Sequence, residues 1–485
     1  MTESGWDESA AGAADGGSNL GRVISRRDLL RGATVVGVGA GLGLLVPGAA
    51  SAAASKFPLG AAAKATSKPV QITMWHSMTS ANLTTLTNLT NQFNSSQRDV
   101  HVNLVAQTSY SDTLTAYTTA LSGGTSKLPD VVQWENEDIQ ILIDSQSAVP
   151  AASAIAADHF SFSDFVPSMV NYFKVDGIQW AMPFNISSQV LYYDQNALTK
   201  AGLDPTNPPA NLAQLRTAAQ KIVSSGTAKY GMSLKVDYTN VELSMALGGQ
   251  TFLNKNNGRS GRATAVTFDD PLGKSIFSWW GGMLSKNLAQ STAFTAFDNL
   301  LAIGSGIAPI TIDTSAALGT IISVLSGGQY PNVKLGVAPF PLPTAKRAKT
   351  GGAFVGGAGL YMVNKPTPDS VDASWQFIKF LVSPQSQATW ASGTGYVPIR
   401  KSAVNLAPLA ATWAAQPGFK VAYRQLLAGP TNPATAGSVT GAAPELLVAI
   451  NDALSTMASG GSPSTAIAQA VQNANAAISS YNERV

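Results

Sequence analysis

Short apolar runs and stretches of helical period alternate along this chain, and no other feature constrains its fold as much. Gln71-Ile72-Thr73-Met74-Trp75 reads as a strand, and Leu83, Leu86, Leu89 and Phe93 then fall at helical spacing. Val100 to Ala106 and Asp130 to Trp134 are further short apolar strands, with a helical segment from Tyr110 to Leu121 between them. Parallel neighbours need a crossover that a helix supplies, so the alternation predicts a largely parallel, doubly wound α/β sheet.

A second block begins after Pro183-Phe184-Asn185, with a strand at Val190-Leu191-Tyr192-Tyr193. Asn207-Pro208-Pro209 leads into a helix whose capping box is Asn211 with Gln214 and whose buried stripe is Leu212, Leu215, Ala219 and Ile222. Late strands at Val333 to Ala338 and Gly359 to Val363 lie far along the chain and must insert into sheets begun earlier, so each lobe is discontinuous. A helix after Ser462-Pro463-Ser464 closes the chain, with Ile467, Ala470, Val471, Ala474 and Ile478 on one face. No solenoid repeat is visible.

Composition narrows the chemistry. The 485 residues are 45% hydrophobic and 12% charged, enough apolar material for two sizeable lobes. The formal net charge of +3, without a long run of like charges, argues against nucleic acid and for a neutral or mildly anionic small ligand. With no cysteine there is no disulfide, thiolate metal site, thiol catalysis or cysteine lipidation. His76, His101 and His159 share no ligand spacing, and no nucleotide loop or GxSxG elbow occurs, so neither metal nor cofactor is expected.

Ser25-Arg26-Arg27-Asp28-Leu29-Leu30 resembles a twin-arginine export motif. An uncharged stretch from Ala33 to Ala54 follows, and Ala50-Ser51-Ala52 suits a signal peptidase. Residues 1–52 read as a leader and 53–68 as a linker, and the protein should work in a periplasm or on the outer face of the cell membrane. A retained anchor is the other reading, since about 20 apolar residues span a bilayer. Trp75 and Trp134, at strand ends, read as core packing, and Glu137 and Asp138 of Glu135-Asn136-Glu137-Asp138 as a solvated loop.

Several short motifs, in this order and spacing, resemble the extracellular solute-binding proteins of carbohydrate-uptake ABC transporters, within them the glycerol-3-phosphate-binding branch. They are Met74-Trp75-His76-Ser77-Met78, Pro183-Phe184-Asn185, Ala201-Gly202-Leu203-Asp204-Pro205, Lys255-Asn256-Asn257-Gly258, Gly356-Gly357-Ala358 and Thr394-Gly395-Tyr396-Val397-Pro398-Ile399. The resemblance implies an α/β, two-lobed periplasmic-binding-protein-like fold with a hinge-bending cleft. Residues 69–186 plus 313–355 would form the N-terminal lobe and 187–312 plus 356–485 the C-terminal lobe. Crossings would fall near Pro183 to Ser187, Ile310 to Thr314 and Val355 to Gly359.

The resemblance also implies a ligand set. Tyr110 would contact a phosphate and Glu135 would take ligand hydroxyls or face a cationic head group. Ser187, Thr314 or Ser315, the Gly357 N–H, Tyr396 and Arg424 would complete the site. A charged hydrogen bond contributes about 1.5–3 kcal/mol, so loss of Arg424 would weaken binding by about one to two orders of magnitude. Where the branch carries two tryptophans as an apolar wall, this chain has Lys235 and Tyr238. The function implied is capture of glycerol-3-phosphate or a glycerophosphodiester by a monomer that serves ABC permease subunits. Neutral di- or oligosaccharides are the alternative. An enzyme acting on similar ligands would need two carboxylates about 5–9.5 Å apart, and Glu135 shows no obvious partner in sequence.

Overall fold

The computed structural model describes residues 68–293, 297–365 and 367–485; the expected leader and all but the last residue of the linker lie outside them. Strand β1 (Val70–His76) buries Ile72, Met74 and His76 on one face and pairs in parallel with β2 (Val100–Ala106) and β3 (Val131–Glu135). The helices Ser80–Ser96 and Tyr110–Leu121 make the two crossovers that the alternation predicted. Val131, Val132, Gln133 and Trp134 are all buried, as expected of an inner strand covered on both faces. Trp134 is a core residue, edge-on to Tyr117 with its indole N–H given to the Asp138 carbonyl at 2.9 Å.

Short β4 (Ala148–Val149), the small hairpin β5 (Lys174–Val175) and β6 (Ile178–Gln179), and β7 (Met182–Ser187) follow. One residue later the chain enters the second sheet as β8 (Gln189–Asp194). That sheet adds β9 (Met232–Lys235), β10 (Ala289–Thr292), β11 (Ile310–Thr314) and β12 (Leu335–Pro339) in the order β10-β9-β11-β8-β12. The helix Leu212–Ser224 starts as expected, with Asn211 Oδ1 accepting from the Gln214 N–H at 2.9 Å. The Gln214 side chain reaches back to the Ala210 N–H rather than to that of Asn211.

The last strand, β13 (Gly356–Val363), returns to the first sheet, whose order is β2-β1-β3-β13-β4 with β7 also on β13. Both late strands therefore insert as expected, but two assignments are corrected. β12 pairs with β8, so residues 335–339 belong with the second sheet rather than the first, and β13 pairs with β3 and β7, so residues 356–363 belong with the first. Segment 310–314 is no crossing; it lies between β8 and β9. An apolar run reveals a strand but not its partner, and here β8 takes β11 on one edge and β12 on the other. Glycines let β13 lie against its neighbours. At Gly357, φ is +102° and an added Cβ would stand 2.0 Å from the Asn185 carbonyl oxygen.

Among the described residues no helix is long and apolar enough to cross a membrane.

Candidate ligand-binding cleft

The junction of the sheets gathers polar side chains that local sequence could not pair. Gln133, fully buried on β3, receives the Ser77 N–H on Oε1 at 2.9 Å and donates Nε2 to Asn185 Oδ1 at 2.8 Å. Asn185 Nδ2 in turn donates to the Tyr110 hydroxyl at 2.8 Å. The Tyr396 hydroxyl lies beside that of Tyr110. Tyr396 is held by a ring stack, 5.5 Å from Trp390, which itself stacks on Phe184 at 4.8 Å. Because Asn185 already donates to the Tyr110 oxygen, the Tyr110 proton is directed onward to the neighbouring tyrosine or a ligand.

Glu135 ends β3 beside these tyrosines. Burial raises its pKa well above the ordinary carboxylate range, and Glu137, Asp138 and Asp237 push it further. Tyr238, on the first turn of the helix Tyr238–Leu247, faces Glu137 across the junction. Tyr110, Glu135, Tyr238 and Tyr396 thus lie near one another at the junction. Ser187 and Thr314 meet elsewhere, on a cavity of about 40 Å³ that Thr239 and Gly356 also line. Ser315 sits behind it, its N–H donated to the Ser188 carbonyl at 2.9 Å and its Oγ accepting from the Ser188 N–H at 3.4 Å. Gly357 lies between the two groups, opposite Ile186 in the β13–β7 ladder.

Arg424 makes none of the contacts above. It is exposed on the helix Lys420–Leu427, whose buried face carries Ala422, Tyr423 and Leu426. The 3.6-residue period turns position 424 outward, and its charge near the helix C-terminus suits the helix dipole. Its neighbour Gln425 reaches the crossing instead. Gln425 Nε2 donates to Ser188 Oγ at 2.8 Å and to the Gln189 carbonyl at 2.9 Å, while Oε1 accepts the Phe340 N–H at 2.7 Å. Arg424→Ala is therefore expected to alter stability by no more than about 0.5 kcal/mol and affinity by no more than about twofold. Calorimetric titration of wild type and variant checks this.

Two further readings change. Asp138 is buried and Glu137 partly so, not solvated, and burial pushes them up to about 7 and about 8. Glu135 has carboxylate neighbours after all, Asp237 among them from the second lobe. Lys235 is no spare cation, since its ammonium pairs with Asp313 at 3.3 Å. His76 is a core residue whose Nδ1 accepts the Met78 N–H at 3.1 Å, and burial lowers its pKa. No group of three or more metal-ligating side chains is placed to hold an ion among the described residues. Sequence reasoning passed over Gln133 and Asn185 as ligand-site elements. The available signal was a glutamine flanked by Val132 and Trp134 in the buried part of a strand.

Two α/β sheets joined by chain crossings, with a polar constellation at their junction, define a two-lobed solute-binding protein. The model of the bacterial extracellular solute-binding protein family matches residues 88–421, and the chain belongs to that family. Such proteins bind small solutes and work with ABC transporters. The sn-glycerol-3-phosphate-binding periplasmic protein UgpB of Yersinia pseudotuberculosis is 27% identical over 399 residues, 80% of this chain and 88% of the relative. UgpB from Mycobacterium tuberculosis in complex with glycerophosphocholine superposes with a TM-score of 0.70 at 20% identity, covering 86% of this chain and 99% of that one. The GacH receptor of Streptomyces glaucescens, also solved with acarbose, gives 0.70 at 22% identity, covering 85% and 99%.

Proposed function

We propose that this protein is the substrate-binding component of an ABC importer and captures a glycerophosphodiester, with glycerol-3-phosphate as the smaller ligand of the same class. The observation that carries the reading is the convergence of Tyr110, Tyr396 and Glu135 at the lobe junction. Tyrosine hydroxyls supply neutral donors for phosphate oxygens, and the glutamate accepts glycerol hydroxyls or faces a cationic head group. The 27% identity to glycerol-3-phosphate-binding relatives along most of both chains supports it. With Lys235 paired to Asp313, a bare dianion finds one free cation fewer at the junction, which favours a diester with a positive head group. That shortage of free cations also supports the second reading, a neutral di- or oligosaccharide. Export is assigned to the paired-arginine leader, with residues 1–52 removed, and the protein acts as a monomer outside the cytoplasm.

Calorimetry on residues 53–485 with glycerophosphocholine, glycerol-3-phosphate and maltose in parallel tests the reading. Glycerophosphocholine is expected to bind at least tenfold more tightly than glycerol-3-phosphate. Saturable binding of maltose alone would overturn the phosphate assignment and leave the transport role.

A further inference from the structure

Two residues past Ser187, Gln189 opens β8 and lines the small cavity that Ser187 and Thr314 share. Its carbonyl accepts Gln425 Nε2 at 2.9 Å, which holds the backbone in place. The side-chain amide has one workable orientation. Nε2 donates to Asp237 Oδ2 at 3.0 Å and to Thr239 Oγ1 at 2.9 Å, and turning the amide over would set Oε1 against a carboxylate, which only accepts. Thr239 is committed too, because its own proton goes to Asp237 Oδ1 at 2.5 Å. Gln189 Oε1 is left as a buried acceptor with no donor among the described residues. A buried acceptor in that condition is costly, so the position calls for a donor from outside the chain.

The cavity limits what can bring that donor. Its volume of about 40 Å³ gives room for a group of hydroxymethyl size, which a phosphate with its four oxygens exceeds. Leu243 and Phe354 supply apolar lining for a carbon, and Ser187 and Thr314 supply hydroxyls. Thr314 Oγ1 accepts the Ala316 N–H at 3.2 Å, so its proton remains to be given. An alcohol satisfies both needs at once, because its O–H donates and its oxygen accepts. A phosphate oxygen only accepts and leaves Gln189 Oε1 unsatisfied.

We propose that Gln189 is a specificity-determining residue: its Oε1 accepts the terminal hydroxyl of the ligand's polyol end, which enters this cavity while Thr314 or Ser187 donates to the same hydroxyl oxygen. The inference rests on the glycerophosphodiester reading and deepens it. It sets the glycerol tip beside Gln189, leaves the phosphate to the tyrosines and leaves Glu135 to the head group. The resemblance that pointed to Ser187 and Thr314 carries no role for position 189.

Calorimetry on residues 53–485 compares glycerophosphocholine with the analogue in which hydrogen replaces the terminal glycerol hydroxyl. Wild type is expected to bind the parent compound about tenfold or more tightly, the usual penalty when a site built for a hydroxyl meets a ligand without one. Gln189→Met keeps the length of the side chain without its amide and should bring the two affinities to within about threefold. A purely structural disturbance would weaken both compounds alike and leave their ratio intact. Gly356→Ala is a second variant that leaves the Gln189 amide untouched. Its added carbon would stand 3.3 Å from Ser187 Oγ, with the next atom at 3.8 Å, so it crowds the hydroxyl side of the cavity and should narrow the same ratio. Circular dichroism checks that each variant is folded. Equal affinities in wild type would overturn the assignment, the cavity then holding solvent only. So would a folded Gln189→Met that keeps the full ratio or, were that variant not to fold, an unchanged ratio in Gly356→Ala. Failure of wild type to bind glycerophosphocholine at all is a different result, which would overturn the functional reading and this assignment with it.

Discussion

Gly357→Ala is expected to destabilise the protein by about 3 kcal/mol or more, the largest loss anticipated from any single added methyl group in the lobe junction. Two costs combine. The backbone at Gly357 has φ +102°, which a residue with a Cβ rarely adopts. The added carbon would also stand 2.0 Å from the Asn185 carbonyl oxygen, 3.1 Å from its carbon and 3.5 Å from Ile186 Cα. All three are backbone atoms of β7, which is hydrogen-bonded to β13 at this level, so no flexible side chain can yield. Gly306, with φ +72° and nothing within 4 Å of the added carbon, isolates the conformational part, and Gly306→Ala should cost only about 1 kcal/mol. Urea denaturation of both variants checks this. A Gly357→Ala loss no larger than that of Gly306→Ala would mean that β13 slides off β7 at little cost, and the junction would then not be a fixed platform.

What local sequence made legible was whatever depends on local period. Strands β1, β2 and β3, their crossover helices, the Asn211 cap and the final helix Pro463–Asn482 all fall where apolar spacing places them. The final helix buries Ile467, Ala470, Ala474 and Ile478 of the stripe read from sequence. What it did not make legible was pairing between distant segments. The run at 335–339 is equally a strand in either sheet, and only the contact with β8 decides. The same limit applies to the site. Tyr110, Glu135 and Tyr396 could be chosen by resemblance, but Arg424 could not be seen to face outward without the buried positions 422, 423 and 426 as a reference. Glu137 and Asp138 look like a polar loop in sequence because charge suggests solvent. Burial raises both pKa values, and the groups of the second lobe that act on them, Asp237, Tyr238, Glu242 and Glu445, lie about a hundred positions or more away.

Asn185→Ala is expected to lower stability by about 2–4 kcal/mol and to weaken ligand binding by about tenfold or more. The side chain is fully buried and joins Gln133 on one side to Tyr110 on the other. Truncation leaves the Gln133 amide N–H₂ without that acceptor in a buried strand, the costly half of breaking a hydrogen bond. It also frees the Tyr110 hydroxyl to turn, so the O–H offered to the cleft loses its direction. The two effects can be separated. Gln133→Ala removes the same internal bond but leaves Asn185 to hold Tyr110, so it should cost comparable stability with a smaller loss of affinity. Because both residues belong to one chain of bonds, the double variant Gln133→Ala/Asn185→Ala should be less destabilised than the sum of the singles, by about 1 kcal/mol or more. Tyr110→Phe tests the binding part alone, since it keeps the ring and removes the donor. Chemical denaturation and calorimetry with glycerophosphocholine give the two readouts. If Asn185→Ala lost stability but bound as tightly as wild type, Tyr110 would be a packing residue, and the polar contacts to the ligand would have to come from Glu135 and the second-lobe face around Tyr238.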